Sequence, residues 1–177
     1  EENHTIIDSV AKAQQAFGGA STSAAPGPDK HSELVTDDGF PNADKLLSFS
    51  VGSGPKTVYV WVDPLCPYCH KVVEMQEELG KEFTFHNLVV PLLGARSERA
   101  SEALACMPEE RRHRAMQQNK YTKTSSNCES KALANSQRLS TAMQVEAVPT
   151  IISPNRQSVT GAPSSVEQFA QFLRGEL

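Results

Sequence analysis

Residues 57–71 decide the fold, and they read Thr57-Val58-Tyr59-Val60-Trp61-Val62-Asp63-Pro64-Leu65-Cys66-Pro67-Tyr68-Cys69-His70-Lys71. The first six are β-branched or aromatic throughout, which predicts a buried central strand. Asp63-Pro64 ends that strand. A helix is predicted over about 67–79, because proline suits a first helical turn and Gly80 would stop the helix. A Cys-x-x-Cys motif therefore lies where a buried strand gives way to a helix.

That position gives the two cysteines a chemical use. Free backbone N–H groups and the helix dipole favour negative charge at a helix N-terminus, so a thiolate at Cys66 is stabilised there. The thiolate is the form that attacks a disulfide. Cys69 follows one turn later, close enough to displace a trapped substrate by closing an internal disulfide. We therefore predict that Cys66 and Cys69 form a redox pair.

Three other interpretations of the motif stay open. Cys66-x-x-Cys69-His70 satisfies the c-type haem attachment pattern, although a strong β-strand leads directly into it. The four cysteines could bind zinc, although the chain lacks a second Cys-x-x-Cys. The pair could also be a purely structural disulfide, although so small a ring seldom has a structural role. We favour the redox pair, with no metal, haem or nucleotide cofactor, and interpret His70 as a neighbour that influences the thiolate electrostatically.

Further elements alternate on both sides of the motif. Strands are predicted at 45–51, 83–90, 150–153 and 157–160, and helical stretches at 97–106, 108–118, 128–143 and 164–173. Ser164 is the predicted cap of the last helix, whose buried stripe would be Val166, Phe169, Phe172 and Leu173. This order fits an α/β domain with a thioredoxin fold and a helical insertion, and it is the motifs rather than the periodicity that single out that fold. Residues 1–32 are predicted to be an N-terminal helix and a flexible linker, and residues 33–177 the catalytic domain.

Composition narrows the partners and the compartment. The 177 residues have a formal charge of −4, which argues against a nucleic-acid partner, and no apolar run long enough to insert into a membrane. The chain opens Glu1-Glu2-Asn3, without a basic or apolar leader. We expect a mature exported protein whose signal peptide has been removed, with a cytosolic protein as the alternative. Four cysteines, an even number, favour an oxidising compartment.

Val148-Pro149-Thr150 is a second signal. Beside a redox motif, a proline that opens a short apolar strand suggests the cis-proline loop that faces the active site in thioredoxin-like proteins. The alternative is an ordinary trans proline at a strand start. A cis bond would leave the Val148 backbone free to pair with an extended substrate peptide. We predict that Val148, Pro149 and Tyr68 bind substrate.

The segment from Asp63 to Lys71 resembles the active-site segment of the bacterial periplasmic disulfide isomerases of the DsbC and DsbG type. Those proteins also place an aspartate three residues before the first cysteine. The resemblance implies that Cys66 is the nucleophile and Cys69 the resolving thiol. It also implies that Cys106 and Cys128 form a structural disulfide, worth about 3–4 kcal/mol in the entropic treatment. Asp63 would cap or orient the turn before the helix, and a proton-transfer role is the alternative.

Two departures from that family bear on the direction of the reaction. Only some thirty to forty residues stand where the isomerases have a dimerisation domain, and Val148 matches the oxidase DsbA, whereas the isomerases usually have threonine. The resemblance implies a thiol–disulfide oxidoreductase, with isomerase or reductase favoured over net oxidation. Implied partners are exported cysteine-containing proteins, a membrane reductase of the DsbD type and a conjugation or secretion system. A DsbA-like oxidase and a non-catalytic thioredoxin-fold chaperone remain as alternatives.

Overall fold

A computed structural model describes residues 32–122, 128 and 130–177. Five α-helices and five β-strands follow one another in this part of the chain: β1 (Ser48–Val51), β2 (Lys56–Val62), α1 (Pro67–Gln76), β3 (Phe83–Val89), α2 (Ala95–Ala105), α3 (Glu109–Gln118), α4 (Lys131–Ala142), β4 (Thr150–Ile152), β5 (Ser158–Thr160) and α5 (Val166–Leu173). The N-terminal helix and linker predicted before residue 32 lie outside the described residues. Within that part of the chain, no helix has both the length and the apolar composition needed to cross a membrane.

The strands form one mixed sheet in the order β1-β3-β2-β4-β5. β2 runs parallel to β3 and antiparallel to β4, and the two outer pairs are also antiparallel. The last residues of β2 and β3 and the first residue of β4 therefore meet at one end of the sheet. Trp61, near the end of β2, pairs with Leu88 on one side and Thr150 on the other.

β2 is the central strand, as its sequence predicts. Val58, Val60 and Val62 are fully buried in the core cluster on one face of the sheet, and Trp61 is fully buried in a second cluster on the opposite face. Because both faces are covered, the strand has no polar side and reads as a continuous apolar run. The predicted α/β thioredoxin fold with a helical insertion is confirmed, and α2, α3 and α4 are the insertion.

Some predicted boundaries need correction. The first strand begins at Ser48, because residues Ala43–Lys45 form a short 3-10 helix. The helix after the motif is α-helical only to Gln76 and ends as a 3-10 turn at residues Glu77–Leu79. Gly80 does not stop it by a left-handed conformation, since its φ is −70°. A side chain is excluded there because a Cβ would lie 2.9 Å from the Cα of Gly52.

The cap of the last helix is Ser165, and the prediction of Ser164 was wrong. An N-cap hydroxyl bonds the amide three residues on. The Ser165 hydroxyl accepts from the Gln168 amide at 3.1 Å, while Ser164 lies one residue too early and bonds the Gln168 side chain. The predicted stripe is buried at Phe169, Phe172 and Leu173 and only half-buried at Val166.

Candidate redox site

Cys66 is the N-cap residue of α1. Its backbone is extended, Pro67 takes the first helical position, and its sulfur accepts the Cys69 amide hydrogen with N and Sγ 3.2 Å apart. The side chain is only 4% exposed, and Cys69, on the first turn, is fully buried. The two sulfurs thus lie together at the N-terminus of a helix, covered except for a small opening at Cys66.

The pKa values of the two thiols are shifted in opposite directions. The pKa of Cys66 is lowered to about 7, chiefly by the hydrogen bond from the Cys69 side chain, with help from the Cys69 and Tyr68 amides. Burial and the Asp63 carboxylate act against this lowering. The pKa of Cys69 is raised well above its ordinary value, first by burial and then by its hydrogen bond to Cys66. Near neutral pH a large fraction of Cys66 is therefore thiolate, while Cys69 keeps its proton.

The Val148–Pro149 loop lies directly across from the thiol. The peptide bond between these residues is cis, which confirms that prediction. The Cys66 Sγ is 3.8 Å from the Val148 carbonyl oxygen, although the residues are 82 positions apart in the chain. Val148 is half-buried and Pro149 buried. A group that approaches the sulfur therefore also meets the backbone of this loop.

Asp63 is fully buried beneath the turn that leads to Cys66. One carboxylate oxygen accepts the Leu65 amide at 2.8 Å and the Ser97 hydroxyl at 2.7 Å. The other accepts the amides of Leu92 and Leu93 at 2.8 and 2.9 Å. Asp63 thus orients the turn and also binds the beginning of the insertion, and the sequence predicts only the first of these contacts.

The carbonyl of Pro64 is a second anchor of the same turn. It accepts a hydrogen bond from the Tyr121 hydroxyl at 2.7 Å and lies 2.6 Å from Nε2 of His70. Burial, followed by the Asp63 carboxylate, raises the pKa of Tyr121, so its hydroxyl keeps the proton that it donates. Tyr121 follows α3, so the far side of the insertion also holds the active-site turn. No local sequence signal marks this tyrosine.

The surroundings of His70 do not fit a c-type haem. Because a carbonyl can only accept, the His70 Nε2 atom must donate a hydrogen to Pro64, and that nitrogen then has no lone pair for iron. Covalent attachment also needs two accessible cysteine sulfurs, and both are buried here. His70 therefore bonds the turn that carries Cys66.

Three of the four exposed large apolar side chains in the described part of the chain lie in the motif itself or in the loop that bonds Asp63. Tyr68 is 64% exposed, Leu93 57% and Leu92 37%, and the fourth is Leu177 near the C-terminus. Tyr68 lies inside the motif, and the backbone amides of the two leucines bond the carboxylate of Asp63, three residues before Cys66. The site therefore has an apolar rim, of which the sequence analysis identified Tyr68 but missed the leucines.

Cys106 and Cys128 come together in the insertion. The Cys106 Sγ is 3.9 Å from the Cys128 carbonyl oxygen, and both residues are half-buried. Cys106 caps the C-terminal end of α2, whereas Ser97, which binds Asp63, is in its first turn. All four cysteines are thiols in this structure. The disulfide between Cys106 and Cys128 stays a prediction.

Comparison with known proteins gives a family match over most of the chain. Residues 44–175 match the family described as a thioredoxin-like domain. This range contains every residue discussed for the site, together with the sheet and the helical insertion. No curated protein sequence matches the chain.

Solved bacterial structures share the fold. The disulfide interchange protein from Neisseria gonorrhoeae superimposes with a TM-score of 0.65 at 24% identity, covering 76% of this chain and 97% of that one. The thiol-disulfide exchange protein alpha-DsbA2 from Wolbachia pipientis gives 0.56 at 16% identity, covering 93% and 97%. A periplasmic thioredoxin-like protein from Salmonella enterica serovar Typhimurium gives 0.55 at 17% identity, covering 73% and 90%.

Proposed function

The chain belongs to the thioredoxin-like domain family, and on that premise we propose that it is a thiol–disulfide oxidoreductase acting through Cys66 and Cys69. One observation carries the proposal. The Cys66 sulfur accepts an amide hydrogen at the N-terminus of α1 and lies 3.8 Å from the carbonyl that precedes a cis-proline. This arrangement gives a stabilised thiolate at a place where an extended peptide can reach it.

The first chemical step is attack by the Cys66 thiolate on one sulfur of a client disulfide. The client S–S bond breaks and a mixed disulfide forms between Cys66 and that sulfur. The other client sulfur leaves as a thiolate and takes a proton from water. Since the pKa of Cys66 is lowered to about 7, a large fraction of this thiol is ionised at neutral pH.

The second step determines the outcome. If Cys69 loses its proton and attacks Cys66, the client leaves as a dithiol and the enzyme pair becomes a disulfide, with two electrons passed to the client. If another client thiolate attacks the mixed disulfide, the client disulfide is rearranged and Cys66 is released unchanged. Burial raises the pKa of Cys69, which delays the first outcome and leaves time for the second.

Client binding would use the loop and the rim around the sulfur. The Val148 backbone would pair with the extended client chain beside its cysteine, and Pro149 fixes the loop. Tyr68 would cover one side of the bound segment with an exposed aromatic ring. These roles fit clients that are unfolded or misfolded, because such chains present extended segments with apolar side chains.

Isomerase or reductase activity of the DsbC/DsbG type is the favoured direction. The support is the resemblance of the active-site segment, with its aspartate three residues before Cys66. The second candidate is a DsbA-like oxidase, which is supported by the valine at Val148. The compartment that suits either activity is the periplasm, with exported cysteine-containing proteins as clients. An isomerase would also need a membrane reductase of the DsbD type to keep Cys66 and Cys69 reduced. The same chemistry would suit a protein that helps to fold the components of a conjugation or secretion system.

The reduction potential of the Cys66–Cys69 pair tests the proposal. Equilibration in glutathione buffers should give a reversible two-electron couple that is absent from a Cys66→Ala variant. A value of about −120 mV would place the pair with strong oxidants, and one of about −270 mV with thioredoxin-like reductants. The absence of any couple in the unaltered protein would overturn the proposal and leave a non-catalytic chaperone in its place.

Direction is tested separately with a client that carries mispaired disulfides. An isomerase restores the native pairing under weakly reducing conditions, and a Cys69→Ser variant accumulates the mixed disulfide at Cys66. An oxidase instead forms disulfides in the reduced client and turns over only when an oxidant regenerates it. Client recovery that survives Cys66→Ala would assign the activity to holding the client rather than to thiol exchange.

A further inference from the structure

The Asp63 carboxylate is the most densely bonded charged group of the site. It is fully buried and accepts four hydrogen bonds, two on each oxygen, from the active-site turn and from the first part of the insertion. Burying a carboxylate is costly unless donors surround it, and four donors fill its acceptor capacity. A residue needed only to shape a turn would not require the contacts to Leu92, Leu93 and Ser97.

The backbone of the same residue touches the cysteines. The Asp63 carbonyl accepts the Cys66 amide hydrogen at 3.2 Å, and the Asp63 amide bonds the Cys69 sulfur. The carboxylate, the turn and both sulfurs therefore form one connected unit. A fixed negative charge in that unit repels the negative charge that appears on Cys66 when the pair is reduced.

Building on the proposed function, we propose that Asp63 is a positioning residue that sets the reduction potential of the Cys66–Cys69 pair. Its carboxylate fastens the turn to the insertion and holds a negative charge against the reduced form of the pair. The disulfide form carries no such charge and is not repelled. Asp63 therefore makes the pair more reducing than the helix N-terminus alone would.

The saturated carboxylate also argues against the alternative of proton transfer at this residue. Taking the Cys69 proton would require an oxygen to give up a bond from Leu65, Ser97, Leu92 or Leu93, and so to loosen the turn. The electrostatic effect needs no such movement. It also agrees in direction with the pKa of Cys66, which is lowered to about 7 chiefly by the hydrogen bond from Cys69, with burial and the Asp63 charge opposing.

Asp63→Asn removes the charge and keeps the shape of the side chain. The measured exchange is protein dithiol plus glutathione disulfide giving protein disulfide plus two glutathione thiols: one S–S bond breaks, one forms, and two electrons pass to glutathione. We expect the variant to shift this equilibrium toward the protein dithiol by about three- to ten-fold. The potential rises accordingly, by about 30 mV for a ten-fold shift. An unchanged or more reducing potential would overturn the inference.

Two controls separate charge from geometry. Ser97→Ala removes one donor but keeps the carboxylate, so it should lower the thermal midpoint and change the exchange equilibrium less than about two-fold. Glu98→Gln removes an exposed negative charge from the residue after Ser97. It should change neither the thermal midpoint nor the exchange equilibrium, because solvent screens that charge. If Ser97→Ala shifted the equilibrium as far as Asp63→Asn, the effect would be geometric and the charge role would be wrong.

A measurement on the unaltered protein keeps the inference testable if Asp63→Asn does not fold. The carboxyl carbon resonance of Asp63 in the reduced protein should follow the ionisation of Cys66, with a midpoint near pH 7. The oxidised protein and a Cys66→Ser variant should lack this transition. A resonance that ignores the redox state would sink the inference, whereas a protein with no reversible couple would sink the proposed function itself.

Discussion

At the scale of single residues, two thiols one helical turn apart meet different surroundings. Cys66 caps α1 and accepts hydrogen bonds from the Cys69 side chain and, more weakly, from backbone amides, so its pKa is lowered to about 7. Cys69 is enclosed by the core, and its pKa is raised. The difference follows from position, because the N-cap lies outside the helix, where its amides are unpaired, and the next turn lies inside the protein. Cys66 thus supplies the nucleophile, while Cys69 keeps its proton.

The pH dependence of alkylation follows from these two pKa values. Only the thiolate reacts, so the rate of iodoacetamide labelling of the reduced protein should reach half its maximum near pH 7 and level off about one pH unit above that. Mass mapping should place the label on Cys66 and leave Cys69 unmodified, and a Cys66→Ser variant should lose the fast phase. A rate still climbing between pH 8 and pH 9, or equal labelling of both thiols, would contradict the assigned acidities.

Sequence alone predicts the two cysteines from a local motif, and it predicts the cis bond before Pro149 because that proline opens a strand in a chain that already contains the redox motif. The contacts of Asp63 were predictable only in part. Leu65 lies two residues away and forms a recognisable turn, whereas Leu92, Leu93 and Ser97 lie about thirty residues away and have no pattern that names their acceptor. Long-range hydrogen bonds depend on which strand ends lie next to one another in the sheet, and local sequence patterns do not predict that.

At the scale of elements, the loop between β3 and α2 gives the site its apolar rim. Asp63 fixes the backbone of this loop, so presenting the two exposed leucine side chains costs little further conformational entropy. We expect Leu93→Ser to lower kcat/KM for an unfolded protein client by about three- to ten-fold, since an exposed leucine that becomes covered contributes about 1 kcal/mol or more. Turnover of a small disulfide such as oxidised glutathione should be unchanged.

Leu177→Ser is the matched control for the rim. Leu177 is also an exposed leucine, 44% accessible, but it lies at the C-terminus and has no contact with the thiol in the described structure. The control should turn over both substrates normally. If Leu177→Ser and Leu93→Ser had the same effect on the protein client, general surface hydrophobicity rather than the rim would be responsible.

Tyr121 ties the end of α3 to the active-site turn and offers a prediction about stability. Tyr121→Phe removes the hydroxyl that donates to the Pro64 carbonyl, and the free energy of unfolding should fall by about 1 kcal/mol. Urea denaturation measures the change, and Tyr68→Phe, which alters an exposed hydroxyl, should leave it within about 0.5 kcal/mol. Equal losses in the two variants would mean that Tyr121 does not hold the turn.

Element boundaries show where local sequence patterns stop being informative. Ser164 and Ser165 are adjacent and equally suited to an N-cap, and only the amide that the hydroxyl reaches distinguishes them. Gly80 likewise follows a helix, as a terminating glycine does, yet its φ is −70° and its small size serves a close approach to Gly52. Both differences are tertiary, because they depend on what the chain packs against.

At the scale of the whole molecule, the sheet brings the site together. β2 and β3 are parallel and β4 is antiparallel to β2, so the Cys66 turn, the Leu92–Leu93 loop and the Val148–Pro149 loop all emerge at one end of the sheet. A redox motif, an apolar rim and a peptide-binding loop from three distant segments thereby become neighbours. The insertion is anchored at the same end, because Ser97 bonds Asp63 and Tyr121 bonds Pro64.

The predicted disulfide between Cys106 and Cys128 concerns the stability of the entire fold. These residues already approach within the insertion, and a bond between them would reduce the freedom of the unfolded chain. With Cys66 and Cys69 both changed to serine, so that only this pair can be oxidised, oxidation should raise the free energy of unfolding by about 3 kcal/mol. Adding Cys106→Ala and Cys128→Ala should abolish that gain without changing the reduced protein's stability by more than about 1 kcal/mol. Urea denaturation in both redox states measures the difference, and mass mapping identifies the bond. Equal stability of the oxidised and reduced serine variant would mean that the insertion is held by its packing and by Asp63 and Pro64 alone.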